Sequence, residues 1–162
     1  MSPIVLMFGG DLELRIAFEG VKIPLVVQRC IQEVEVRGMD YEGIYRKCGG
    51  TLQMRQLQEE FERGEDVQFD PELDICSVTG ILKQYFRKLP NPLVTYELYD
   101  RFVETSTLSG NITALFFLSE ANPATLDVYE QEKRIECLKQ IAEDLPPGHR
   151  DVLQFVIFHL AK

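Results

Sequence analysis

Between Leu73 and Leu89 the apolar residues Leu73, Val78, Ile81, Leu82, Tyr85, Phe86 and Leu89 recur at spacings of three and four. That spacing winds one apolar stripe down an α-helix and commits the chain to burying it against other elements. Pro90-Asn91-Pro92 ends the helix abruptly, because the residue before each proline is pushed out of helical geometry. On the opposite side Lys83 and Arg87, four residues apart, share an exposed strip with no carboxylate between them.

The same period recurs on either side. Pro24 suits a first-turn position, and Leu25, Val26, Cys30, Ile31 and Val34 form a connected face before Gly38, which predicts a helix from Ile23. Thr51 is a candidate cap for a helix running to about Arg63, with Leu52, Met54, Leu57 and Phe61 inward and Gly64 closing it. Residues 65–72 (EDVQFDPE) form a polar connection. A further helix is expected to begin between Leu93 and Val103, with Thr95 as its candidate cap and Leu98, Tyr99, Phe102 and Val103 apolar. The period is lost from Thr105 to Tyr129, where Ile112–Leu118 is uncharged and β-prone. It resumes near Glu130 with Ile135, Leu138, Ala142 and Leu145 on one face and stops at Pro146-Pro147-Gly148.

A last helix, from His149 or Asp151 onward, carries Val152, Leu153, Phe155, Val156, Ile157, Phe158 and Leu160. A helix apolar on nearly every side needs neighbours all round. Since the sequence ends at Lys162, the expectation is a bundle incomplete at its C-terminus and a fragment of poor solubility. No alternating run is long enough to compete with helix, so the expected fold class is all-α.

At 162 residues the chain is one domain's worth, 1–162, and long enough to bury a core without staples. A formal charge of −9 excludes broad nucleic-acid binding through phosphate neutralisation, so any basic site is a local patch on an acidic body. Cysteines at 30, 48, 76 and 137 form no C-x-x-C pair and are accompanied by only two histidines, which argues against zinc and against a disulfide framework. The opening MSPIVLMFGG lacks a basic region and is too short in apolar residues for a signal peptide, and no stretch reaches a membrane span. Asn111-Ile112-Thr113 matches a glycosylation sequon without a secretory context. Reduced thiols and a cytoplasmic location follow as expectations.

The stretch Gly43-Ile44-Tyr45-Arg46-Lys47-Cys48-Gly49-Gly50 sets two adjacent cations between glycines at a helix junction. Glycines at 43, 49 and 50 permit backbone angles closed to other residues, with Ile44 as the inward anchor and Arg46 pointing out. The loop lacks the G-K-[ST] ending of a nucleotide-binding loop. Cys48 has no histidine or carboxylate beside it in sequence to act as a base and reads as a small, inert residue. His159 reads as a packed core residue and His149 as a surface residue beside a cap. Glu33/Glu35 and Glu59/Glu60 fall on different helical faces and read as solvated charges. No self-contained catalytic constellation emerges. A single exposed arginine with little else suits one chemical task, stabilising the charge that builds on phosphoryl oxygens in another protein's active site. Its planar, permanently charged fork of donors fits that task.

These residues carry a resemblance. FGGDL at 8–12, IPLVVQRCIQEVEVRGMDYEGIYRKCGG at 23–50, ILKQYFRKLPNPLVTYELYDRF at 81–102 and LPPGHRDVLQFVIFHLAK at 145–162 resemble, in order and spacing, the RhoGAP domain, the GTPase-activating module for Rho-family small GTPases. The wording around the loop is similar to fungal members. The resemblance implies a RhoGAP-type helical bundle, an arginine finger at Arg46, and a basic pair at Lys83 and Arg87 in the L-K-x-x-x-R-x-L-P-x-P-L segment, with Pro92 as its second proline. Together with Lys47 these would face the partner. The implied partner is a GTP-bound Rho-family GTPase, which itself contributes the GTP and Mg²⁺. The chain would then need no cofactor of its own, bind no nucleic acid, insert into no membrane, and be recruited from the cytoplasm to membrane-bound GTPases. It would be a GTPase activator rather than an enzyme; the alternative is a non-catalytic GTPase-binding module of the same fold. Residues 105–129 match no motif of the family and read as an atypical insertion. The family pattern also continues beyond the last helix with elements that cover 152–160 and carry an asparagine facing the GTPase.

Overall fold

The computed structural model describes residues 6–101, 136–137, 139–160 and 162, and among them every regular element is helical. The all-α expectation holds there. The insertion at 105–129, the sequon at Asn111, and the positions Phe102, Val103, Ile135 and Leu138 lie outside the described residues. The chain divides into two compact units, Met1–Pro90 and Asn91–Lys162.

The first unit contains α1 (Leu12–Glu19), α2 (Leu25–Arg37), α3 (Thr51–Glu62) and α4 (Ile75–Arg87). The helix at the centre is α4, packed against both α2 and α3. Its stripe is Val78, Ile81, Leu82 and Tyr85, and α2 meets it with Val26, Val27, Cys30, Ile31 and Val34, all essentially buried. Each such aliphatic side chain contributes on the order of 1.5–3 kcal/mol by leaving water. The sequence places the α4 stripe correctly, with Leu73 left half-buried ahead of the helix. The Asp74 carboxylate caps α4 by accepting the Cys76 N–H at 2.9 Å.

Three local differences have clear causes. Helix α1 has no counterpart in the apolar periodicity; it is signalled instead by its ends, since Asp11 accepts the Leu14 N–H at 2.9 Å and the Gly20 N–H closes onto Ile16 and Ala17. Pro24 sits just before α2 rather than inside its first turn and has no side chain to cap it. Glu19 supplies the cap from six residues upstream, accepting the Leu25 N–H at 2.8 Å while holding Arg15 at 2.6 Å. In α3, Gly50 takes the cap position that Thr51 was expected to fill. Leu52 is 67% exposed rather than inward, because only Leu57 and Phe61 of this helix reach full burial.

In the second unit residues 93–94 form a turn, and described helical residues begin at 99. Thr95 has φ 59°, and its hydroxyl accepts the Leu98 N–H at 3.4 Å, as the capping expectation requires. The preceding helical pattern stops ahead of Pro146 as expected, and Pro147 opens α5 (Pro147–Leu160), two residues before the earlier of the expected starts. A proline is tolerated there because its missing N–H is one that a first helical turn leaves unbonded. Two histidine readings part company here. His159 is buried as expected, but His149 is only 3% exposed. The His149 Nδ1 lies 3.0 Å from the Leu93 carbonyl oxygen; a carbonyl only accepts, so Nδ1 carries the hydrogen. Helix α5 buries Val152, Leu153 and Val156, yet Phe158 is 63% exposed, so it is not covered on every side.

Candidate functional site

The loop between α2 and α3 is built by hydrogen bonds that turn the chain twice. The Tyr41 N–H donates to Gly38 O at 3.1 Å and the Ile44 N–H to Tyr41 O at 3.2 Å. The Gly43 carbonyl then accepts from both Arg46 N–H at 2.9 Å and Lys47 N–H at 3.0 Å. Gly43 has φ 82° and Tyr45, unexpectedly for an aromatic residue, has φ 70°. Only one of the three glycines singled out in sequence therefore uses a left-handed backbone.

Gly49 serves a different purpose. A Cβ there would lie 2.4 Å from Ser77 Cα and 2.5 Å from Ser77 N, so the loop crosses α4 backbone against backbone. Beside this crossing the Gly50 N–H donates to Ser77 Oγ at 3.2 Å, and the Ser77 hydroxyl donates to Gln53 Oε1 at 2.6 Å. Gly50 itself is extended, φ −70° and ψ 128°, a conformation open to any residue. At the start of the loop Tyr41 lies close to Cys76 of α4, whose thiol, first through hydrogen bonding and then through its charge, raises the phenol's pKa.

Within the loop Ile44 is half-buried and Arg46 is exposed. Arg15, Arg37 and Arg101 pair with Glu19, Glu33 and Asp144, and Arg29 and Arg63 pair with Asp66 and Glu65. Arg46 makes no such pair among the described residues. Lys47 folds back, its ammonium 5.2 Å from the centroid of the Tyr41 ring, with its stem against Gly43. Cys48 is exposed.

The second cationic element is the polar side of α4. Arg87 is exposed, whereas Lys83 is half-buried rather than on an open strip. Burial, and then the Arg87 charge, push the Lys83 ammonium below its ordinary value, opposed by Cys48 and Cys76. Lys83 thus lies near Cys48 of the loop as well as near Arg87. Pro92 belongs to the second unit, where its carbonyl accepts the Thr95 N–H at 2.8 Å. No cluster of His, Cys, Asp or Glu able to hold a metal occurs among the described residues. No described helix is long and apolar enough to cross a membrane.

Sequence reasoning missed Tyr45, Ser77 and Gln53. Ser77 and Thr79 interrupt the apolar run ICSVTGIL with buried polar groups, which was the available signal for a brace, since buried hydroxyls need partners. Nothing in composition or period marks the backbone of Tyr45.

What fold and candidate site define together is an all-α module whose candidate cations lie on one loop and one helix. The RhoGAP domain family model matches residues 24–162, and the chain belongs to that family. It is 35% identical over 142 residues to probable Rho-type GTPase-activating protein 4 of Schizosaccharomyces pombe, covering 88% of this chain and 13% of that protein. Against mouse beta-chimaerin the identity is 32% over 155 residues, covering 94% of this chain and 41% of that protein. The crystal structure of human Rho GTPase activating protein 15 superposes with a TM-score of 0.75 at 30% identity, covering 99% of this chain and 72% of that one. The chain therefore spans well under half the length of these curated relatives.

Proposed function

We propose that this chain stimulates GTP hydrolysis by Rho-family small GTPases by lending Arg46 to the partner's nucleotide site. The observation that carries the proposal is the exposed guanidinium of Arg46, unpaired among the described residues, on a loop tied to α4 at its Gly49-Gly50 end. A guanidinium held ready costs little reorganisation when charge develops on the transferring phosphoryl group, and it acts most strongly where docking excludes water. Arginine fingers of this kind supply roughly 10³ to 10⁵ in rate, or about 4–7 kcal/mol of barrier.

Lys83, Arg87 and Lys47 meet the partner from the first unit, and the family pattern adds Pro92. The family membership supports a Rho-family partner, and the GTP-bound form is the one in which a γ-phosphate awaits the finger. GTP and Mg²⁺ come with the partner, so the chain works without a cofactor of its own and is an activator rather than an enzyme. It acts from the cytoplasm on membrane-bound GTPases without inserting into the bilayer.

The test is single-turnover GTP hydrolysis by a panel of Rho-family GTPases with and without the chain. Acceleration of at least one member supports the proposal. Binding to GTP-loaded partners with no acceleration establishes the non-catalytic module instead, and neither binding nor acceleration overturns both readings.

A further inference from the structure

A bulky residue with a left-handed backbone is a costly choice, on the order of 1–2 kcal/mol, and it persists only where its surroundings over-determine it. Tyr45, φ 70°, is such a residue, and it immediately precedes Arg46. It is the third residue of the turn closed by Arg46 N–H on Gly43 O at 2.9 Å. Turns that require a positive φ at that position ordinarily place Gly or Asn there. A glycine would satisfy the backbone more cheaply, so the aromatic side chain has to contribute something a glycine cannot.

Its surroundings show what that is. The side chain is half-buried, while the Arg46 and Lys47 that follow it are exposed. Burial first, and then Cys30 and Glu35 of α2, raise the phenol's pKa, in keeping with a ring turned toward that helix. Cys30 is itself fully buried in the α2 face. The ring is therefore an inward anchor at the tip of the loop, beside the equally half-buried Ile44. Gly49 and Gly50 fasten one end of the loop to α4 and do not fix its tip.

We infer that Tyr45 is the positioning residue for Arg46: its half-buried ring holds the left-handed turn and thereby aims the next side chain out of the loop. The inference rests on the proposed role of Arg46 and concerns a residue that itself touches neither nucleotide nor reacting atoms. Misplacing a reacting group by about 1 Å costs up to roughly 10²-fold in rate, and that is the scale of effect expected from releasing the anchor.

The experiment compares wild type, Tyr45→Gly, Tyr45→Asn, Tyr45→Phe, Arg46→Ala and the double variant Tyr45→Gly/Arg46→Ala, on a GTPase that the wild-type chain accelerates. Glycine and asparagine both accept a positive φ, so either keeps the backbone while removing the ring. The expected result is a loss of about 10- to 100-fold in stimulated kcat for the Gly and Asn variants. Affinity for the GTPase loaded with a non-hydrolysable GTP analogue stays within about threefold, since the ring acts on orientation rather than on docking. Tyr45→Phe retains stimulation, because it keeps the ring. The double variant is no slower than Arg46→Ala alone, because a residue that acts only through Arg46 has nothing left to position. Wild-type kcat in both ring-less variants, a loss confined to affinity, or a further loss in the double variant overturns the inference. Failure of the wild-type chain to accelerate any GTPase is a failure of the functional proposal, and the two failures are thus distinguishable.

Discussion

Replacing Gly49 by alanine, with Gly50→Ala as its control, isolates the contact that joins the finger loop to α4. A Cβ at residue 49 would meet Ser77 Cα at 2.4 Å, Ser77 N at 2.5 Å and Cys76 C at 2.6 Å. Carbon atoms settle at about 3.5–4.0 Å, so loop and helix would have to part by roughly 1 Å. The far side cannot yield cheaply, because Ser77 and Cys76 are buried backbone in the first turn of α4. Overpacking of this kind costs about 1–3 kcal/mol, and parting the elements also strains the 3.2 Å Gly50 N–H to Ser77 Oγ bond. The control meets nothing closer than 3.7 Å, and that is the end of the flexible Gln53 side chain. Alanine at a helix cap is less favourable than glycine by a fraction of a kcal/mol to about 1 kcal/mol, offset by about 0.4–1 kcal/mol from the stiffer unfolded chain. Urea unfolding followed by far-UV circular dichroism should therefore show Gly49→Ala less stable by about 1–3 kcal/mol and Gly50→Ala near wild type. Equal midpoints for the two variants would refute the backbone-crossing argument.

Tyr85 carries a buried hydroxyl with no hydrogen-bond partner among the described residues; since an unsatisfied buried polar group costs about 1–3 kcal/mol, Tyr85→Phe should raise the unfolding midpoint, and a clear loss of stability would contradict the geometry. Burial pushes the Cys30 thiol up from its ordinary 9.0, with Glu33 adding to the effect. The folded state then holds a proton that the unfolded chain releases, so the stability this contributes is complete below pH 9.0 and is lost as pH rises beyond it. The slope is about 1.4 kcal/mol per pH unit, and Cys30→Ala should flatten that alkaline decline in urea midpoints; an unchanged slope would contradict the burial. His149→Ala removes both a buried ring and its 3.0 Å bond to Leu93 O; it should cost about 2–4 kcal/mol in urea unfolding, whereas a surface histidine would cost almost nothing.

How much of this was legible in the sequence depended on whether the cause was periodic. The stripes of α2 and α4 follow from three- and four-residue spacing, and Val26, Cys30, Ile31, Ile81 and Leu82 are buried as that spacing requires. Ends were harder, because they depend on single side chains reaching across gaps: Glu19 capping α2 from six residues upstream leaves no local signature. His149 was misread for the same reason, since its carbonyl partner Leu93 is 56 residues away. At the loop, the exposure of Arg46 was readable from its glycine-bracketed setting. The reason each glycine is there was not: Gly43 is bent, Gly49 is crossed by a helix, and Gly50 is unconstrained. The left-handed backbone of Tyr45 had no sequence signal, because an aromatic residue's local preference runs against it and only the folded surroundings hold it there.

The central claim is that Arg46 acts on the partner's transition state rather than on docking. The direct measurement is stimulated single-turnover hydrolysis of GTP by a responsive Rho-family GTPase, with Arg46→Ala and Arg46→Lys run beside the wild-type chain, and affinity for the same GTPase bound to a non-hydrolysable analogue measured in parallel. The account predicts that Arg46→Ala loses roughly 10³-fold or more in stimulated rate while affinity changes little, and that lysine restores only a small part because it lacks the planar fork. Undiminished stimulation by Arg46→Ala would contradict the account, as would a loss that appears wholly as weaker binding.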